Sequence, residues 1–463
     1  MLARGIRSYH RPARLEDAQG LASQGVRPFA GGTRLFATAQ ELPNVLDLSA
    51  LGFSGLRIEE NDLVIGSTTT IQDVLDCPES WSHSAGLLPL ACRASLPSRT
   101  ARHMASLGGE AVHGAFDSDI VAALLALNAI FVVAHPSGEV ESPAMRFLRR
   151  PDDDLDGGGI LRAVVLPGVP HGAALERASF HPSSPPIVSV ATAVTLADSR
   201  CIRARIALTG LDGPPLRATE AEGLLERTGA PDDAIAAAAD LVAERRPFRS
   251  DGMASADARR KLSRQLAERA LRSALARARS GAAVPKPNAR RAVPPRSQGA
   301  LAYFTSGRIE INVDGRLTRP DVEAGTTLLE ALRSEGVTSV REGCSAGDCG
   351  TCTVLLDGRP TLACLTPALR AQGRTVQTSE SLVAAQSRQP LLTAFVSAAS
   401  GGCGFCTPGL MNSARGLLLA IPDPDEGEMR EALAGHLCRC IGTERAVEAL
   451  SRVVAAERGE DRA

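Results

Sequence analysis

Several features that would point to a charged or membranous partner are scarce or missing in this sequence. Of its 51 basic residues only Lys261 and Lys286 are lysines, and 52 acidic residues balance them to a formal net charge of −1. A chain this close to neutral has no electrostatic reason to seek nucleic acid or an anionic membrane surface. No apolar run approaches the roughly 18 residues that cross a bilayer, so a membrane-spanning chain is not expected. The first twelve residues carry Arg4, Arg7 and Arg11 with no apolar stretch behind them. That pattern argues against a secretory signal and for a cytoplasmic protein. Familiar catalytic arrangements are missing too: there is no Gly-x-Gly-x-x-Gly turn, no Walker phosphate loop and no Ser–His–Asp set. His10, His83, His103, His113, His135, His171 and His181 make no helical i, i+4 metal pair. Asp152-Asp153-Asp154 reads as a solvated loop.

What is present is cysteine, unevenly placed. The chain has eleven, and eight fall between Cys344 and Cys440. A disulfide-stapled secreted protein spreads its cysteines through a short chain. Eight thiols within a hundred residues of a 463-residue chain point instead to metal. Cys77, Cys92 and Cys201 are scattered and read as small buried hydrophobes. A chain of this length is expected to hold two to four domains.

The first set, Cys344, Cys349, Cys352 and Cys364, is spaced C-x4-C-x2-C-x11-C, the plant-type [2Fe–2S] pattern. Gly343, Gly347 and Gly350 let the backbone fold tightly and aim N–H groups at the sulfurs, offsetting the charge of four thiolates. A zinc ribbon would prefer two C-x2-C knuckles, and only one pair here has that spacing. The second set is Cys403, Cys406, Cys438 and Cys440, spaced C-x2-C-x31-C-x-C. Thr407-Pro408 marks a helix start. That puts Cys406 at a helix N-terminus, where the macrodipole favours thiolate. Taken alone, this second set leaves zinc open.

Along the chain, residues 281–306 read as a linker, with Pro285, Pro287, Pro294 and Pro295 among Arg, Ser and Ala. The half before it is mixed α and β. Short strands are predicted at Val45–Leu48 and Leu63–Ile65, a strong helix at 119–128 and a strand at 129–134. A strand pair at 187–196 and 202–208 and helices at 218–225, 231–244 and 257–278 follow. After the linker, a strand at 308–313, a turn at Asp314-Gly315, a helix at 326–334 capped by Thr326 or Thr327, the first cysteine loop and a strand at 352–356 give a ferredoxin-type β-grasp order. From Ser381 onward the pattern is helical only. Two glycine turns stand out in the first half, Ala30-Gly31-Gly32-Thr33-Arg34-Leu35 and Ser106-Leu107-Gly108-Gly109. Together they could bring several backbone N–H groups onto one pyrophosphate.

Taken together, these motifs resemble one family. Glu342 to Gly358 resembles the ferredoxin-like domain of the xanthine oxidase family of molybdenum hydroxylases. Cys403-Gly-Phe-Cys-Thr-Pro-Gly409 and Leu437-Cys-Arg-Cys-Ile-Gly442 resemble its helical second-cluster domain. Tyr9-His-Arg-Pro12, the two glycine turns, Ile65-Gly-Ser-Thr-Thr-Thr70, Ser118-Asp119, Pro186–Val190 and Ile206–Gly210 resemble its flavoprotein domain. The resemblance implies a multidomain α+β protein. Its parts would be an FAD-binding domain over 1–170, a flavoprotein C-terminal domain over 171–280 and the linker, then a β-grasp plant-type ferredoxin domain over 307–380 and an all-α [2Fe–2S] bundle over 381–463. It implies FAD on Ala30 to Leu35, Thr68, Ser106 to Gly109 and Asp119. Backbone amides of both turns would hold the pyrophosphate, and Asp119 would either bond a ribose hydroxyl or cap its helix. Each cysteine set would hold one [2Fe–2S] cluster.

The implied activity is an oxidoreductase electron-transfer subunit with no catalytic residue toward the organic substrate. Molybdopterin would sit on a large partner subunit only. Electrons would pass from it to the Cys403 cluster, the Cys344 cluster, FAD and an external acceptor such as NAD, O2, a quinone or another carrier. Dimerisation of the complex stays open. Four positions depart from the family: Arg34 for Asp or Ser, Glu110 for Asn, Gly402 for Gln and His436 for Asn. The last two fall where the family contacts its pyranopterin, which places both near the partner boundary. Two rival readings are a self-contained NAD(P)H-dependent flavin and iron–sulfur reductase, and a zinc-stabilised assembly protein without enzymatic activity.

Overall fold

The computed structural model describes residues 5–38, 42–181, 184–244, 246–281, 299–384 and 390–458. The chain divides into two compact units that do not follow its linear order. One comprises Met1–Gly52, Pro97–Ala105 and Asn288–Ala463, the other Phe53–Leu96 and Ser106–Pro287. Among the described residues no helix is long and apolar enough to cross a membrane.

In the first unit, strands Arg27–Phe29, Asn44–Asp47 and Ser8–Arg11 run parallel, with helix Leu15–Ser23 between the first two in sequence. A fourth strand, Leu301–Phe304, adds antiparallel to Ser8–Arg11, with Tyr9 opposite Phe304. This strand lies inside the 281–306 stretch predicted as linker. Its Leu-Ala-Tyr-Phe run has the apolar and aromatic character of a strand, but its partner is distant: His10 and Ala302, joined by a 3.0 Å hydrogen bond, are 292 residues apart. Residues 282–298, with all four linker prolines, lie outside the described residues.

The predicted β-grasp follows. Its five-stranded sheet runs in the order Arg316–Thr318, Ile311–Val313, Thr375–Gln377, Thr353–Leu356, Arg359–Leu362. Asp314 and Gly315 both take positive φ, 51° and 88°, as a two-residue type I′ hairpin requires. The strand predicted over 308–313 is split into Ser306–Arg308 and Ile311–Val313. Helix Leu328–Ser334 is capped by Thr327 in a reciprocal box with Glu330. Beyond residue 381 the described elements are all helices, the longest being Pro390–Ala398, Thr407–Ala420, Glu426–Leu433 and Gly442–Arg458. Phe395, Leu410, Leu417, Met429, Leu450 and Val454 fill the core between them.

The N-terminal sheet and the β-grasp share one hydrophobic core. Tyr9, Phe29, Phe36 and Val45 pack in the same cluster as Leu328, Val354, Cys364 and Leu369. Each fully buried side chain of this size contributes about 1.5–3 kcal/mol. Helix Arg99–Met104 also belongs here: Arg102 pairs with Glu431 at 2.7 Å, and the Leu362 N–H donates to Met104 Sδ at 3.2 Å.

The second unit has two antiparallel sheets. One runs in the order Leu56–Glu59, Asp62–Gly66, Ile160–Leu166, Ile130–His135, Gly138–Pro143. The other runs Leu216–Arg217, Arg200–Leu208, Val188–Ala197, Gly172–Ala178. Helix Ala256–Ser280 lays its predicted stripe of Leu266, Ala270, Leu271, Ala274 and Leu275 on the second sheet. Gly172 permits that approach, since a Cβ there would stand 2.2 Å from the Ala274 carbonyl oxygen.

Candidate functional site

The first cysteine set lies on the loop between helix Leu328–Ser334 and strand Thr353–Leu356, with Cys364 on the 3-10 turn after Arg359–Leu362. Cys344 is exposed, while Cys349, Cys352 and Cys364 are buried. The amides of Asp348, Cys349 and Ala346 donate to Cys344 Sγ at 3.2, 3.3 and 3.4 Å, and the Cys344 amide donates to Cys349 Sγ at 3.3 Å. Burial disfavours charge on Cys344, yet these amides outweigh it and hold the thiol below its usual range. Gly347, with φ +86°, makes the loop possible; a Cβ there would meet Leu365 at 2.4 Å. Cys352 and Cys364 approach within hydrogen-bond reach, and that contact lowers the Cys352 thiol and raises its partner.

The second set pairs in the same way, Cys403 with Cys440 and Cys406 with Cys438. Helix Thr407–Ala420 begins one residue earlier than a Thr407 cap would give: Cys406 is its N-cap, with Pro408 in the first turn, so Cys406 does stand at a helix N-terminus. Its thiol nevertheless moves opposite to the macrodipole expectation. Burial first, then contact with Cys438, pushes it up to about 12. At Cys438 burial also opposes the thiolate, but the Ile441 amide at 3.4 Å and Cys406 prevail and hold it low. The residues fit the expected groups. A single structural zinc wants four donors round one centre, whereas a two-iron cluster takes two thiolates per iron, and the sulfurs here approach two by two.

Glycines bring the two cysteine loops into contact. A Cβ on Gly350 would stand 2.7 Å from the Gly435 carbonyl oxygen and from the His436 ring, and one on Gly409 would stand 2.5 Å from the Gly350 carbonyl oxygen. The Leu437 amide donates to the Cys349 carbonyl at 3.1 Å. His436 is 8% exposed, its ring hydrogen-bonded with Ser413 at 3.2 Å and with the Leu433 carbonyl at 3.2 Å. Burial holds its pKa down near 4. His436 is thus an uncharged wedge between the two cysteine loops. The exposed groups around the second set include Cys403, Cys440, Phe405, Leu437 and Arg439. Gly402 is half-buried, and a Cβ there would press on Cys440 and Ile441 at 3.2 and 3.3 Å.

The two glycine turns behave differently. In the first unit, Gly31 lies against the backbone of Met104, where a Cβ would stand 2.0 Å from the carbonyl oxygen, and Gly32 takes φ +73° under the Phe36 ring. Among the described residues, the amides of Gly31, Gly32 and Thr33 have no protein partner, an arrangement suited to an anion. Leu35 packs at the edge of the shared core, and Arg34 is half-buried. In the second unit, the amides of Leu107, Gly108 and Gly109 already donate to the Thr69 carbonyl, the Ser67 carbonyl and Ser106 Oγ at 3.0, 2.9 and 3.1 Å. Of the two turns expected to offer amides to a pyrophosphate, only the first has amides without a protein partner among the described residues. The second turn's glycines serve close packing against residues 67–69, and Thr68 stays half-buried beside them.

Asp119 does not cap its helix: the cap is Ser118, whose hydroxyl accepts from the Val121 amide at 3.3 Å. The Asp119 carboxylate is fully buried, 3.5 Å from Arg177 in an ion pair and beside the Ser189 hydroxyl. Burial raises its pKa to about 6.

Comparison with known proteins agrees with this inventory. The family described as the FAD binding domain in molybdopterin dehydrogenase matches residues 4–169, and the CO dehydrogenase flavoprotein C-terminal domain matches 181–274. A 2Fe-2S iron–sulfur cluster binding domain matches 311–374 and a [2Fe-2S] binding domain 378–451. The chain is 43% identical to the nicotine 6-hydroxylase small subunit of Paenarthrobacter nicotinovorans over 148 residues, 31% of this chain and 89% of that one. It is 37% identical to the xanthine dehydrogenase iron–sulfur-binding subunit of Escherichia coli O157:H7 over 139 residues, 29% of this chain and 86% of that one. A chain of the CO dehydrogenase from Oligotropha carboxidovorans superposes with a TM-score of 0.54 at 26% identity, covering 60% of this chain and 100% of that one. The chain belongs to the molybdenum hydroxylase family, as a single-polypeptide fusion of its FAD-binding and two-[2Fe–2S] electron-transfer modules.

Proposed function

We propose that this chain is the electron-transfer subunit of a cytoplasmic molybdenum hydroxylase complex, linking a large molybdopterin-binding subunit to an external acceptor through two [2Fe–2S] clusters and FAD. Cys344, Cys349, Cys352 and Cys364 would hold one cluster, and Cys403, Cys406, Cys438 and Cys440 the other. Ala30 to Leu35 would hold the flavin through the amides of Gly31 to Thr33. The bound groups supply one-electron and two-electron redox chemistry; the chain binds, spaces and shields them. The observation that carries this reading is the juncture at Gly350 and His436, where the loops bearing the two cysteine sets meet without an intervening layer. Phe405 and Leu437 are exposed beside Cys403 and Cys440, with the exposed Arg439 between the last two cysteines, and this mix of apolar side chains and one arginine supports that side as the one facing the molybdenum partner.

The test is cofactor content followed by order of reduction. The purified chain should hold about four irons and one non-covalent FAD, and zinc in place of iron would overturn the assignment. In the complex assembled with its large subunit, stopped-flow reduction by substrate should bleach cluster absorbance no later than flavin absorbance. Flavin reduction that precedes both clusters would reverse the proposed direction.

A further inference from the structure

Arg370 sits six residues past Cys364, on the 3-10 turn Ala368–Ala371, and its side chain leaves the β-grasp altogether. Its Nε and Nη2 donate to the two Asp47 oxygens at 2.9 and 2.6 Å, and Nη2 also donates to the carbonyl of Ala30. The guanidinium lies 4.7 Å from the Phe29 ring centroid. Asp47 is fully buried and accepts further from the Tyr9 hydroxyl and, at 2.9 Å, from the Ser49 amide. Ala30 is the residue from which the Gly31–Thr33 amides project. A fixed Ala30 carbonyl fixes the peptide plane that carries the Gly31 amide, so the guanidinium sets the orientation of the first unpartnered donor of the turn.

We propose that Arg370 is a positioning residue for the flavin: a side chain of the ferredoxin-like domain holds the first glycine turn in its binding conformation. The inference rests on the reading of Ala30–Leu35 as a flavin turn. Arginine is needed because one planar fork must reach both carboxylate oxygens and a carbonyl at once, which the single ammonium of lysine cannot do. By linkage, whatever loosens the Ala363–Ala371 segment weakens FAD, and FAD bound at the turn steadies that segment by the same factor.

Arg370→Lys tests it, because the charge that compensates buried Asp47 is kept. The control is Arg259→Lys. Arg259 is fully buried, where Arg370 is 15% exposed, and has the same partners in kind, both Asp251 oxygens at 2.7 and 2.8 Å and the Ile187 carbonyl, but it lies in the second unit on helix Ala256–Ser280. FAD dissociation constants are measured by flavin fluorescence on cluster-loaded protein, alongside iron content and visible circular dichroism. Arg370→Lys should raise the constant at least tenfold with four irons retained, while Arg259→Lys lowers stability and leaves the constant within twofold of wild type. Equal effects of the two lysines, or an unchanged constant in Arg370→Lys, overturn the proposal. A third variant, Gly31→Ala, separates the two readings. Normal FAD affinity there overturns the flavin assignment of the turn and the proposal with it. Weakened affinity there together with normal affinity in Arg370→Lys overturns the proposal alone.

Discussion

Adding one methyl group at Gly350 and one at Gly404 gives a matched measurement of how tightly the two cysteine loops are pressed together. Both glycines lie between cluster cysteines and both have φ +72°, so alanine suffers the same left-handed strain at each, about 1–2 kcal/mol. They differ in what the new Cβ meets. At Gly404 nothing lies within 4 Å; at Gly350 the Gly435 carbonyl oxygen and the His436 ring both stand at 2.7 Å. Neither can step aside cheaply, since one is backbone and the other is held by Ser413 and Leu433. Overpacking of this kind costs about 1–3 kcal/mol, and loss of the Leu437-to-Cys349 hydrogen bond adds about 1 kcal/mol. Gly350→Ala should therefore be less stable than Gly404→Ala by roughly 2–4 kcal/mol. With a urea slope of about 2–3 kcal/mol per M, cluster circular dichroism should be lost about 1 M earlier. Coincident midpoints for the two variants would refute the close contact at this juncture.

Proteolytic cleavage within residues 282–298 should leave the two fragments co-eluting in native gel filtration, because strand Leu301–Phe304 and the shared core bind the later fragment to Tyr9 and its neighbours; separate elution would refute the shared core. Asp119 has a folded pKa near 6 against 3.8 unfolded. A raised carboxylate pKa means the native state holds the proton longer, so flavin-free protein should lose up to about 3 kcal/mol as pH rises from about 4 through 6. Asp119→Asn should flatten that slope, and an unaltered stability profile from pH 4 to 7 would count against the burial argument. Cys364→Ser and Cys406→Ser should each halve the iron content, and electron paramagnetic resonance of the reduced protein should lose a different one of two cluster signals in each; loss of the same signal in both would break the assignment. Gly402→Gln should be tolerated with iron retained by the second set, since its Cβ asks Cys440 and Ile441, at 3.2 and 3.3 Å, to give only slightly; loss of iron would show that the loop cannot shift.

The cysteine motifs were legible because their chemistry is written in local spacing. The strand and helix order after residue 307 was legible for a related reason: a turn dipeptide, a capping threonine and an alternating strand are each short-range signals. What escaped was long-range. Nothing near Asp47 announces a buried carboxylate, and nothing near Arg370 announces its partner; 323 residues separate them. Strand Leu301–Phe304 escaped because four apolar and aromatic residues after a proline-rich run carry no sign of the strand they will join. His436 shows the limit of carrying a role by motif position. Its place beside Cys438 was right, but only packing could show that its ring points inward at Gly350. The second glycine turn makes the same point, since Ser-Leu-Gly-Gly reads equally well as an anion cradle and as a close-packed corner until the partners of its amides are known.

The stitching of the first unit from two ends of the chain bears on why the modules are joined in one polypeptide. Association of the Ser8–Arg11 sheet with the β-grasp is intramolecular here, so it proceeds at the effective concentration that the connection imposes. Loop-closure entropy grows slowly, by about 0.6 kcal/mol per doubling of length, so even a long connection is inexpensive. Affinity alone therefore does not demand a buried ion pair at this seam, and burying Asp47 with Arg370 adds little net stability. Specificity offers the better account. An apolar seam tolerates sliding, whereas a carboxylate with donors from Tyr9, Ser49 and Arg370 accepts one register only. A shift of the β-grasp against the Ser8–Arg11 sheet would move Arg370 off both Asp47 and Ala30. The ion pair thus fixes, in one geometry, the seat of the β-grasp on that sheet and the first glycine turn.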